Sequence, residues 1–203
     1  MGTRNLTIVH VNGKYPIAQY CQWDGYPGGQ GMTALRFARD KMDRGLFLHK
    51  VSKVSEISPA KLRKLWKDAG GDDSGWATMD VAEKFKGKTP QLDRDMGADV
   101  LQYIQEQPDG LLVKTQIEFA ADSLFCEWAY VLDFDANTFE AYKGFNTLPL
   151  PSTERFAHMA PADHSGSEYH PIKLMAAWPL DNLPTDDEFM IELDIPEEAA
   201  GYG

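Results

Sequence analysis

The order of segments in the chain predicts a single-domain α+β fold, with antiparallel hairpins in one or two sheets packed against helices. Three observations carry this. Two turn signals, Asn12-Gly13 and Asp135-Ala136-Asn137, each sit between strand-like runs. The helical periodicities cluster between residues 32 and 107, segregated from the strands rather than alternating with them. The chain has 203 residues, 43% hydrophobic and 25% charged, enough for one sizeable core, and no linker divides it into two.

The elements follow in order. Residues 5–11 read as a strand, and 15–23 as its hairpin partner across Asn12-Gly13. Both are apolar on two faces, which predicts an interior hairpin covered on both sides. Pro16 lacks a ladder donor, so it belongs near the strand start or at a bulge. Leu35, Ala38 and Met42 recur at helical spacing. Ser58 as N-cap and Pro59 at the first helical position open a helix whose stripe is Leu62, Leu65, Trp66 and Ala69, and Gly70-Gly71 ends it. A short helix is expected around Met79 to Phe85, and a longer one over about Asp93 to Gln107 with Met96, Val100 and Ile104 inward. Residues 111–119 read as a strand, 125–135 and 138–145 as a second hairpin, 146–170 as an irregular loop and 172–178 as a last strand. The domain spans 1–180. Residues 181–203, with eight acids and no base, read as an acidic C-terminal tail.

Charge and composition exclude several classes. There are 31 acids against 20 bases, a net charge of −11, the opposite of a general nucleic-acid binder. No apolar run approaches the ~20 residues that span a bilayer. No export signal opens the chain, which predicts a cytoplasmic protein. Cys21 and Cys126 are too few for a disulfide framework and lie in apolar stretches, as buried thiols. His158, His164 and His170 are six apart in a loop, a spacing with no fixed metal geometry, so no metal site is expected. No cofactor motif is present. Residues 32–67 hold ten bases and three acids, a local positive field that would lie beside a glycine-rich loop.

That loop, Asp24-Gly25-Tyr26-Pro27-Gly28-Gly29-Gln30-Gly31, leaves a strand and opens a helix. Its glycines allow close backbone approach, and amides at a helix start favour a phosphate or carboxylate. The Asn12-Gly13 turn brings Arg4 back beside Asp24, either as an ion pair pinning the loop or as a fork partly free for an anion. The candidate ligand-binding residues are therefore Arg4, Asp24, Tyr26, Gly28, Gly29, Gln30 and Gly31. A tight corner packed by Tyr26 and Pro27 is the structural alternative.

The opening MGTRNLTIV, the segment AQYCQWDGYPGGQG and the hairpin EWAYVLDFDANTFEAYKGFN resemble a group of uncharacterised bacteriophage and bacterial proteins. More distant fungal proteins share the G-T-R start and the aromatic-D-x-Y-P-x-G-x-G loop. The resemblance implies that start and loop form one unit, and that the chain is a phage or prophage accessory protein working in a host cytoplasm. The element order is also similar to N-terminal-nucleophile hydrolases, whose chemistry needs Cys, Ser or Thr at an exposed N-terminus. Here Gly2 would occupy that place once Met1 is removed, and Thr3 only after a further cleavage.

Three functions fit these observations. The first is binding of a small anionic molecule, or an anionic group on a macromolecule, at Arg4 and the loop. The second is a hydrolase using Asp24, Cys21 or Thr3. The third is an acidic inhibitor of a host protein, its tail occupying a basic site.

Overall fold

A computed structural model describes residues 2–72 and 78–193. The fold is α+β, built on one five-stranded sheet. Strands β1 (Asn5–Val11) and β2 (Lys14–Cys21) form the first hairpin, and β5 (Trp128–Asp133) and β6 (Thr138–Lys143) the second. The order is β2-β1-β5-β6-β9, with β9 at Lys173–Pro179. Within this sheet all pairs are antiparallel except β1 with β5, which run parallel and join the two hairpins. Two short pairs stand apart: β3 (Ser55–Glu56) with β4 (Leu112–Val113), and β7 (Ala162–His164) with β8 (Ser167–Tyr169).

Asn12 and Gly13 take φ of 54° and 66°, as a type I′ turn requires. Only β1 of this hairpin is interior. β2 is an edge strand, which is why Pro16 is tolerated in it. Asp135 locks the turn from the other hairpin: its two carboxylate oxygens accept the amides of Asn12 and Gly13, each at 2.8 Å.

Among the described residues, α1 (Met32–Arg36), α2 (Arg44–Val51), α5 (Asp99–Glu106) and α6 (Asp186–Leu193) cover one face of the sheet, while α3 (Pro59–Asp68) and α4 (Met79–Lys88) bury no residue of their own. On that face Trp128, Tyr130, Phe139 and Trp178 form a row of stacked rings 6.0–6.4 Å apart, the last inclined by 30°. Leu35, Phe47, Leu101, Ile104 and Phe189 bury it. The opposite face, bearing Leu6, Ile8, Ala129 and Val131, is covered by loop residues including Ala120, Phe156 and Ile172. A single main sheet with helices on one side and loops on the other stands in place of a two-sheet sandwich.

Three local expectations are corrected, and one further helix has no signal in the sequence. The 93–107 helix begins only at Asp99, because Gly97 at φ 53° turns the chain first. The 111–119 strand is two residues long and gives way to a 3-10 turn at Ile117–Ala121. Helix α2, capped by Asp43 onto the Leu46 amide at 2.9 Å, has almost no amphipathic pattern to betray it. The acidic tail is partly core: Phe189 and Leu193 of α6 are buried, and Arg36 and Arg39 both bond Asp186. Residues 194–203 lie outside the described residues.

Candidate functional site

The glycine loop is closed by its own backbone. The Gly25 amide donates to Thr3 O at 2.9 Å, Gly29 to Tyr26 O at 2.9 Å, and Gln30 to Asp24 O at 2.7 Å. The start of the chain and the loop are thus one packed unit. Asp24 takes φ 56°, and a Cβ on Gly29 would lie 2.2 Å from the Asp24 carbonyl. Gly31 abuts the Tyr130 ring, whose hydroxyl donates to Gly25 O at 2.9 Å. Gln30 accepts the Ala98 amide at 2.6 Å. Gly25, Gly29 and Gln30 therefore spend their amides inside the corner rather than offering them to an anion.

Arg4 does not pair with Asp24. Its guanidinium lies 4.4 Å from the Phe125 ring centroid and 3.9 Å from Glu127 Oε1, and Nε is buried with no hydrogen bond among the described residues. The remaining loop residues do border an opening. A cavity of about 240 Å³ is lined by Tyr26, Gly28, Trp128, Lys143, Met190 and Leu193. Lys143 ends β6, directly opposite Trp128, and its ammonium sits 5.4 Å from the centroid of that ring. Burial holds Lys143 below its ordinary value. No carboxylate pairs with it among the described residues.

The same end of the sheet displays aromatic side chains. Trp23 follows β2, Phe125 precedes β5 and Phe145 follows β6, and with Tyr26 they are 37–54% exposed. Phe145 takes φ 55°, rare for a bulky residue, with its amide bonded to Ser123 O at 2.7 Å.

A second polar region lies at the opposite end of the loop-covered face. His10, Asp133, Glu140 and Tyr142 project there from three strands, and Arg155 reaches in from the 146–170 loop. Arg155 bonds Glu140 twice, at 2.8 and 2.9 Å, and also Asp133. Asp133 further accepts the amides of Asp135 and Ala136, both at 2.8 Å. Burial alone would push Asp133 up; the Ala136 amide, Arg155 and His10 outweigh it and hold its carboxyl at about 2. His10 Nδ1 is 3.1 Å from Asp133 and 3.7 Å from Asp135, yet makes no well-angled hydrogen bond among the described residues. These three side chains are close enough to share a cation. Asp133 and Asp135 already accept backbone amides, so the cluster is accounted for as a lock between hairpins.

The other candidates separate. His164 bonds Asp122 at 2.8 Å and His158 contacts Arg155 O at 3.1 Å; the three loop histidines do not form a ligand group among the described residues. Cys21 and Cys126 are buried, and burial pushes both thiols up, away from a reactive thiolate. Gly2 packs against the Trp23 ring. Lys143 was missed as a site residue. The available signal was a lysine ending an aromatic strand that pairs with another. No helix is long and apolar enough to cross a membrane among the described residues. Comparison with known proteins finds no match to a family model, a curated protein or a solved structure.

Proposed function

We propose that the protein binds a small anionic ligand carrying a flat apolar group, in the cavity between the glycine loop, β5, β6 and α6. The observation that carries this is Lys143: partly buried, held over Trp128 and without an acidic partner among the described residues. Removing a lysine from water without a counter-ion is costly, and an anion in the cavity would relieve that cost. Trp128 and Tyr26 supply ring faces for the flat part of the ligand. This reading keeps the anionic ligand and the loop, and moves the cation from Arg4 to Lys143. A phage or prophage accessory role in a host cytoplasm accords with such binding.

The test is a tryptophan-fluorescence titration with benzoate and with adenosine monophosphate, beside inorganic phosphate. A ring-bearing anion should give saturable quenching at millimolar concentration or below. Lys143→Met should remove it while leaving the melting curve in place. Equal binding by the variant, or no binding by either ring-bearing probe, overturns the proposal.

A further inference from the structure

Far from that cavity, α3 and α4 present a surface at odds with the rest of the molecule. The two helices carry seven bases and three acids within a chain of net charge −11. Their apolar residues are not enclosed: α3 is strongly amphipathic, yet no residue of α3 or α4 is buried. Trp66 and Phe85 meet edge to face at 5.5 Å. Together with Leu62 and Leu92 they floor a groove of about 520 Å³, which Arg63 and Lys114 border. A second hollow of about 540 Å³ shares Leu62 and Lys114 and continues the groove toward Ile57 and Pro59. Asp72 and Glu56 are the acids on its margin. Arg63 and Lys114 are exposed and have no ion pair among the described residues.

We infer that this groove docks an acidic segment of a partner protein that carries an apolar stripe, laid in as an amphipathic helix. The apolar floor matches the stripe, and the bases along α3 and α4 match its acids, the pairing that gives specificity and fast encounter. A nucleic-acid duplex would match the charge but leave Leu62, Trp66 and Phe85 uncovered, and a single strand stacked on Trp66 would still leave Leu62 and Leu92 bare. A second copy of the chain would bring another strongly negative molecule toward this one.

The test is fluorescence anisotropy with a labelled helical peptide bearing Leu and Phe along one stripe and Asp and Glu elsewhere. Two competitors accompany it: a peptide of the same composition with the stripe scrambled, and single-stranded DNA of equal charge. Saturable binding is expected, weakened roughly tenfold or more in the Arg63→Glu, Lys114→Glu protein and by scrambling the stripe. Far-ultraviolet circular dichroism confirms that the variant is folded. Equal binding of the scrambled peptide or of the DNA would overturn the inference in favour of a plain polyanion surface. Absence of peptide binding at low salt would overturn it outright. So would self-association, seen by sedimentation, that the same substitutions abolish. Lys143→Met should leave peptide binding unchanged, so the two sites fail independently.

Discussion

Replacing Asp133 by Asn tests how strongly the buried charge cluster ties the Arg155 loop to the second hairpin. Asn keeps the shape, and its carbonyl can still accept the amides of Asp135 and Ala136. It removes the charge facing Arg155 and sets a second donor against the guanidinium. The folded carboxyl sits at about 2 against an ordinary 3.8, and at 1.36 kcal/mol per pH unit that difference is about 2 kcal/mol. Asp133 is 3% exposed, so little solvent screening reduces it. Because the folded value is depressed, this stability is present above the unfolded value. It is lost as pH falls from near 3.8 toward 2. Urea denaturation at neutral pH should therefore show Asp133→Asn less stable by about 2 kcal/mol, with the gap narrowing below pH 4. Equal stability at neutral pH, or a gap that ignores acid, would refute the reasoning.

Three further substitutions probe the fold. Gly31→Ala places a Cβ 2.6–2.7 Å from the Tyr130 ring, and should cost about 1–3 kcal/mol in a denaturant melt. Gly13→Val has open space around it but φ of 66°; strain alone should cost about 1–3 kcal/mol, visible as a lower thermal midpoint. Phe189→Ala should cost about 3–5 kcal/mol, since the ring is fully buried against Tyr130, Phe139 and Trp178. An unchanged midpoint there would mean that α6 is not part of the core.

Local chemistry was legible wherever neighbours in sequence are also neighbours in space. Asn12-Gly13 specifies its turn through φ alone, and Ser58-Pro59 opens α3 by capping its own third residue onward. The α+β class followed from the spacing of such signals. What sequence periodicity could not reveal is pairing at long range. Arg4 was placed beside Asp24 because a hairpin returns the chain there. The parallel junction of β1 with β5 instead sets Glu127 and Phe125 against it, from more than a hundred residues away. The acids after residue 181 read as a solvated tail because charge dominates composition, yet Phe189 and Leu193 sit in the core among them. Asp133 and Glu140 lie on neighbouring strands, but the cation that satisfies both comes from an aperiodic loop that no strand pattern points to. Lys143 acquires its place in the same way. Its neighbours Trp128, Tyr26 and Met190 come from three separate elements, so only the closed sheet with α6 laid across its end turns an ordinary strand-terminal lysine into a desolvated one.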